Sequence, residues 1–181
     1  MSSTQHIGGF DQPDDRSAVQ HLRLVVPVKD FSLDWRRYNL VANYLAEYSA
    51  YHFEHKDKAE NLISTVFYEL IEQMVAASRH EARLDLQFCT AGSWLLFDLS
   101  SSFPREGIQR LSETLAELLH GDIEAYYTAL LEDDLDKPSV RRVLGLAMVA
   151  HDYRAQLSAA VETDSGSVTL RARVGQEEIA S

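Results

Sequence analysis

The spacing of apolar residues constrains the fold of this chain more than any other feature, because it switches between the period of a helix and the period of a strand. Residues 83–90 and 167–174 alternate apolar with polar side chains, and each stretch lies beside a second apolar run across a short turn. The turns fall at residues 90–93 and 164–166, and both contain glycine. Alternation around such a turn is typical of a β-hairpin. The sequence therefore predicts two hairpins.

Outside the hairpins, apolar residues recur every three or four positions, which indicates amphipathic helices. A β-branched run at residues 22–28 precedes these helices and predicts a first strand. The predicted order is one strand, two helices, two strands, several helices and two strands. We therefore expect an α+β fold, a two-layer α/β sandwich with a mixed sheet and helices on one face. The predicted helices are 33–53, 58–78, 108–119, 123–131 and 143–153.

The length of 181 residues fits one domain with tails. Residues 1–20 hold few large apolar side chains, so they cannot bury enough surface to offset their ordering entropy, and we expect a flexible N-terminal tail. A single domain is expected over residues 21–175 and a C-terminal tail over residues 176–181. The polar start lacks a signal-peptide pattern, and no apolar run approaches the roughly 20 residues of a membrane helix. These features predict a cytoplasmic protein without membrane contacts.

The chain carries 28 acidic and 17 basic side chains, which gives a formal net charge of −11. Proteins that bind nucleic acid draw affinity from clustered lysine and arginine, so this charge argues against a nucleic-acid partner. The single cysteine, Cys89, cannot form an internal disulfide. The seven histidines do not have the spacing of a zinc site. We therefore expect neither nucleic-acid binding nor a histidine or cysteine metal centre.

The predicted helix 58–78 carries polar residues at three- and four-residue steps. Thr65, Glu69, Gln73 and Ala76 fall near one face, because such steps bring side chains together on a helix. The apolar stripe of the same helix points elsewhere, so Glu69 and Gln73 need not lie in the core. The pattern by itself favours a solvated helix face.

The same helix carries a family resemblance. The segment from Asn61 to Ser78 resembles the asparagine-box helix of the histidine-kinase-like ATPase (GHKL) superfamily, which often ends in a pattern like E-L-x-E-N-A-x-K-x-S. Four positions match this pattern, and three differ, where the chain has glutamine, methionine and alanine in place of asparagine, alanine and lysine. The matching residues are Glu69, Leu70, Glu72 and Ser78, and the differing ones are Gln73, Met74 and Ala76.

A second segment, residues 143–149, is similar to the family's G-x-G-L-x-x-V box, a glycine turn that flanks the nucleotide phosphates and starts a helix. Val143 stands where the family has its first glycine. With the element order, the resemblance covers roughly residues 22–174. It implies a nucleotide pocket, and the residues that it assigns to this pocket are Glu72, Gln73, Gly145 and Leu146. It also implies Mg²⁺ ligation by Gln73 and a general-base role for Glu69.

Two departures from the family pattern weaken the implied pocket. Gln73 has the amide of the family's asparagine but one methylene more, and Mg²⁺ demands oxygen ligands at about 2.0–2.1 Å in near-octahedral positions. The D-x-G-x-G box that reads adenine is missing, because Asp98 is followed by Leu-Ser-Ser-Ser. ATP and Mg²⁺ are therefore expected as cofactors only if the pocket is functional.

The resemblance and its departures together imply a bacterial-type signalling regulator, a pseudokinase-like switch that acts through a protein partner and binds ATP weakly or not at all. The alternative is an active kinase that phosphorylates a partner on Ser or Thr with Mg-ATP, like the partner-switching anti-sigma factors of the family.

A second alternative from another class is an unrelated α+β domain whose tyrosine-rich first helix serves oligomerisation, which would make the chain a homodimer. Tyrosine suits an interface because it combines apolar area with a polar tip. The tyrosines of this helix are Tyr38, Tyr44, Tyr48 and Tyr51.

Overall fold

The computed structural model describes residues 4–9 and 18–180. In it, the segments with apolar periodicity fold into one sheet and one layer of helices. The β-strands of these residues are β1 (Thr4–Ile7), β2 (Ala18–Pro27), β3 (Arg83–Ala91), β4 (Trp94–Ser102), β5 (Gln156–Glu162) and β6 (Ser167–Gly175). The helices are α1 (Val28–Leu33), α2 (Arg36–Ala50), α3 (Lys56–Ala77), α4 (Arg105–His120), α5 (Ile123–Leu131), α6 (Pro138–Asp152) and α7 (Glu177–Ala180).

The six strands form one sheet in the order β1-β5-β6-β4-β3-β2, and every neighbouring pair is antiparallel. The expected mixed sheet is therefore wrong in this detail. Two long helices, α2 and α3, join β2 to β3. Because these two helices carry the chain along the sheet and back, β3 starts at the end of the sheet where β2 finishes and runs in the opposite direction.

The hydrophobic core lies between the sheet and the helices. Along β3, β4 and β6, alternate side chains are buried and their neighbours are half-buried or exposed, so each strand presents one face to the core. Phe67 of α3 packs edge-on against Phe97 of β4, with ring centroids 5.1 Å apart, and Phe88 of β3 completes the cluster. This arrangement confirms the predicted two-layer α+β sandwich.

The predicted helix 33–53 corresponds to α2 alone, because the short helix α1 ends at Leu33 and the chain breaks at Asp34 before α2 begins. Asp34 has an extended backbone, with φ −157°, and its side chain accepts a hydrogen bond from the backbone N–H of Arg36 at 3.0 Å. An aspartate that accepts from an early helical N–H starts a new helix, so α2 begins later than predicted. None of the helices in the described ranges is long and apolar enough to cross a membrane.

The ends of the chain differ from the predicted tails where the structure describes them. Residues 4–7 form the edge strand β1, which pairs with β5 from Thr4 opposite Glu162 to Ile7 opposite Ala159. Ile179 of α7 is buried in the same core as the sheet. Residues 1–3, 10–17 and 181 of the predicted tails lie outside the described residues.

Candidate functional site

Helices α3 and α6 lie side by side, and a glutamate of α3 faces a glycine of α6 where they meet. A Cβ atom on Gly145 would lie 1.8 Å from Oε2 and 2.6 Å from Cδ of Glu69. Glycine inside a helix costs about 1 kcal/mol relative to alanine, so its presence in the middle of α6 requires a local reason. The close approach of the Glu69 carboxylate supplies that reason.

Glu69 lines a cleft on the outer side of α3 and α6, which we call the glutamate cleft. The cleft has a volume of about 540 Å³. Aromatic rings and two carboxylates surround it, with one arginine at its exposed rim. The lining residues are Trp35, Tyr68, Glu69, Glu72, Tyr127, Arg141, Leu144, Gly145 and Met148.

The environment of Glu69 changes its acidity. Burial in the cleft, and then the nearby negative charge of Glu72, raise the pKa of the Glu69 carboxyl from 4.5 to about 7. No hydrogen bond or ion pair from the described residues stabilises its charged form. A carboxyl that titrates near neutral pH can accept or release a proton under ordinary conditions, which is the property that general acid–base chemistry requires.

Gln73 lies in a different cleft, between α3, α4 and α6, which we call the glutamine cleft. Its volume is about 270 Å³. Gln73 is only 9% exposed, and its Oε1 atom is buried without a hydrogen-bond partner among the described residues. The lining residues are Gln73, Ala76, Ala77, Arg110, Leu111, Glu113, Thr114, Glu117, Ser139, Arg142 and Val143.

The structure therefore does not bring the predicted metal ligand and the predicted base to one cavity. Glu69 and Glu72 share the glutamate cleft, whereas Gln73 lines the glutamine cleft. A Mg²⁺ ion needs several oxygens around one point, whereas the amide of Gln73 and the two carboxylates line different clefts. The arrangement of these side chains does not fit the magnesium–nucleotide site that the resemblance implies.

The predicted glycine turn is also absent from α6. This helix begins at Pro138, seven residues before Gly145, and continues unbroken to Asp152. Backbone N–H groups inside an α-helix bond to the carbonyls four residues earlier, so those of Gly145 and Leu146 are not directed at a ligand. The Leu146 side chain is fully buried in the core. The assignment of Gly145 and Leu146 to a phosphate site stays a prediction, and in this structure their backbone N–H groups lie inside α6 rather than at its start.

Sequence reasoning missed an ionic cluster that joins α5 to α6. His151 lies between two carboxylates, with Nδ1 2.6 Å from Asp152 Oδ1 and Nε2 2.6 Å from Glu124 Oε2. Its ring stacks on Tyr127, which also lines the glutamate cleft. Hydrogen bonds to Asp152 and Glu124 raise the pKa of His151. No sequence signal reveals this cluster, because its members come from two helices separated by an exposed loop.

Comparisons of this chain with protein-family models, with curated proteins and with solved structures find no match. The resemblance to histidine-kinase-like ATPases rests on residues 61–78, on residues 143–149 and on the order of helices and strands. Within residues 4–9 and 18–180, no group of three histidine, cysteine, aspartate or glutamate residues is arranged to hold a metal ion.

Proposed function

We propose that this chain is a signalling regulator on a scaffold that resembles the histidine-kinase-like ATPases, and that it acts through contacts with a protein partner. In this proposal the chain binds Mg-ATP weakly or not at all. Its regulatory output comes from its helical surface rather than from phosphate transfer.

The observation that carries the proposal is the continuity of α6 through Gly145. A phosphate site at a helix start uses backbone N–H groups that have no partner inside the helix. In this chain α6 starts at Pro138, and Gly145, its eighth residue, lies in the third turn, packed against the Glu69 carboxylate. In its ionised form, the Glu69 carboxylate at this contact also repels a negatively charged phosphate.

The separation of Glu69 from Gln73 supports the same proposal. The family chemistry requires a base and a metal ligand beside one phosphate, and the two side chains line different clefts. Adenine recognition has no support either, since Asp98 lies in β4 and opposes Arg171 in β6. Each of the three parts of a nucleotide site is thus altered.

Calorimetric titration with Mg-ATP and with a non-hydrolysable analogue tests the proposal. We expect no saturable heat, or binding too weak to saturate at millimolar nucleotide. The matched variant is Gln73→Asn, which restores the family amide. It should recover little affinity, because the missing adenine readout and the continuous α6 remain. Low-micromolar affinity of the unmodified chain for Mg-ATP would overturn the proposal.

The pKa of Glu69 favours a second candidate, the active Ser/Thr kinase. A carboxyl with a pKa of about 7 in an open cleft is suited to take a proton from a hydroxyl. This candidate predicts tight Mg-ATP binding and an activity that Glu69→Gln abolishes while nucleotide affinity is retained. The calorimetric titration separates the two candidates before any partner is known.

A further inference from the structure

Helix α5 is held in the fold by partly buried side chains alone. Among the helices of residues 4–9 and 18–180, it is the one without a fully buried residue, whereas each of the others has at least one. Residues 132–137, which follow it, are all exposed. A helix with so few buried contacts opens more easily than the core beside it, so the position of α5 depends more on its polar contacts.

Side-chain hydrogen bonds join α5 to the two helices beside it. The Tyr126 hydroxyl donates to Glu117 Oε2 of α4 at 2.8 Å, and Glu124 Oε2 lies 2.6 Å from His151 Nε2 of α6. Burial, and then the hydrogen bond to Glu117, raise the pKa of the Tyr126 hydroxyl, so the link to α4 keeps its proton at neutral pH. The link to α6 contains a histidine, the side chain that ordinarily titrates near neutral pH.

The contacts of His151 are those of a doubly protonated ring. Nδ1 lies 2.6 Å from Asp152 Oδ1, and Nε2 lies 2.6 Å from Glu124 Oε2. A neutral imidazole has one N–H and one lone pair, and an ionised carboxylate has no proton to donate to that lone pair. Only the imidazolium donates to both carboxylates at once. The link between α5 and α6 is therefore complete only when His151 carries its charge.

The other neighbours of His151 favour the same charged form. The ring of Tyr127 in α5 stacks on the imidazole, with centroids 4.6 Å apart and 24° between the planes, and an aromatic face attracts a cation. The closest arginine in the sequence, Arg154, forms its ion pair with Glu178, at 3.8 Å. Two carboxylates and one phenol are thus the titratable groups that contact the His151 ring.

The direction of the pH effect follows from these contacts. Hydrogen bonds to Asp152 and then to Glu124 raise the pKa of His151 above 6.5, its ordinary value, although burial lowers it. A group whose pKa is higher in the folded state stabilises that state fully below its ordinary pKa. The stabilisation disappears as the pH rises through the raised value. The link between α5 and α6 is therefore strongest in mildly acidic solution.

We propose that Glu124 and His151 form a pH-sensitive latch, which holds α5 against α6 when the imidazole is protonated and loosens α5 when it is neutral. Tyr127 lies beside the latch and also lines the glutamate cleft, so the position of α5 sets one wall of that cleft. This device goes beyond the proposed regulatory function and depends neither on nucleotide binding nor on a partner.

Amide hydrogen exchange of the full chain at two pH values tests the latch. The reporters are residues 126–131 of α5, and the comparison chain is His151→Gln, which removes the titrating ring. At about pH 5.5 the protection factors of these amides should be about two- to fivefold higher in the unmodified chain, the range expected for an exposed ion pair. At about pH 8.5 the difference should shrink. Comparing the two chains at each pH cancels the titration of Glu69, which both retain.

Two matched variants separate the contact between helices from a general change in the acidity of His151. Glu124→Gln and Asp152→Asn each remove one carboxylate from the imidazole, and both side chains are substantially exposed, at 74% and 44%. Each should lower the pKa of His151, which an NMR titration of the ring measures. Asp152 belongs to the same helix as His151, whereas Glu124 belongs to α5.

The two variants should therefore differ in their effect on α5. Glu124→Gln should remove the pH dependence of protection in α5. Asp152→Asn should keep that dependence and move its midpoint to lower pH. Protection of α5 that does not change as His151 titrates, or equal effects of the two variants on α5, would overturn the proposal. A measured pKa of His151 at or below 6.5 would overturn it as well.

Discussion

The Glu69 carboxyl of α3 lies against Gly145, the one residue of α6 that has no side chain. Its pKa of about 7 has two causes, of which burial is the larger and the charge of Glu72 the smaller. A carboxyl whose pKa is higher in the folded chain than in the unfolded chain binds its proton more tightly when folded. Folding stability therefore falls as the pH rises from about 4.5 to about 7.

The first prediction concerns Glu69→Gln, which removes this titration and keeps the size of the side chain. At about pH 8 the variant should be more stable than the unmodified chain, by at most on the order of 3 kcal/mol, because one pKa unit corresponds to about 1.4 kcal/mol. At about pH 4.5 the two proteins should have similar stability, because the native carboxyl is then protonated. Thermal melts across this pH range measure the difference. An equal difference at both pH values would contradict the assigned pKa.

The second prediction concerns Gly145→Ala, which places a methyl group 1.8 Å from the Glu69 Oε2 atom. The carboxylate ends a flexible side chain, so it should swing into solvent while the helix gains about 1 kcal/mol of propensity. The fold should survive, and the pKa of Glu69 should fall towards its ordinary value. An NMR titration of the Glu69 carboxyl measures that pKa. A pKa that stays near 7 in the variant would show that Gly145 does not confine Glu69.

At the scale of elements, a second glycine lies at a close contact between helices. It is Gly107 in the first turn of α4, which contacts the end of α3. A Cβ atom there would lie 2.4 Å from the backbone carbonyl oxygen of Ala77, at the end of α3. A backbone carbonyl cannot rotate away as a side chain can, so α3 and α4 would have to separate.

The third prediction is that Gly107→Ala destabilises the chain by about 1–3 kcal/mol, the usual cost of overpacking. Gly145→Ala is its matched control, because both glycines lie in helices and only the atoms near the new methyl group differ. Chemical denaturation of the two variants measures the contrast. Equal stability of the two variants would mean that α4 is not held tightly against α3.

Most helices and strands could be predicted from the sequence, because a long amphipathic pattern depends only on residues that are close together in the sequence. The helix Ile123–Leu131 matches its predicted bounds, and both hairpins turn where glycine allows a left-handed backbone, at Gly92 and Gly166. Strand β1 could not be predicted, since Thr4–Ile7 is short and polar and its partner β5 lies about 150 residues later. Its pairing is a tertiary contact, which no local pattern records.

The candidate site was predictable only in part. Glu69 and Gln73 were expected on one helix face, and a helical step of four does place them close together in projection. The structure assigns them to different clefts, because α4 packs over the Gln73 end of α3 while Glu69 faces Gly145. The position of a neighbouring helix depends on contacts far apart in sequence, so the separation of the two side chains follows from the fold alone.

At the scale of the whole molecule, one sheet and one helical layer place two distinct surfaces on the helices. The glutamate cleft opens between α3 and α6, and the glutamine cleft lies between α3, α4 and α6. The net charge of −11 gives the molecule a general self-repulsion.

The measurement that tests the proposed loss of nucleotide binding most directly is amide hydrogen exchange at Gly145 and Leu146, with and without Mg-ATP. If α6 is continuous through these residues, both amides should already be protected in the nucleotide-free chain, because they are bonded inside the helix. Millimolar Mg-ATP should then leave their exchange unchanged. Rapid exchange without nucleotide, followed by strong protection when Mg-ATP is added, would show that this segment is an open phosphate-binding turn and would contradict the proposed function.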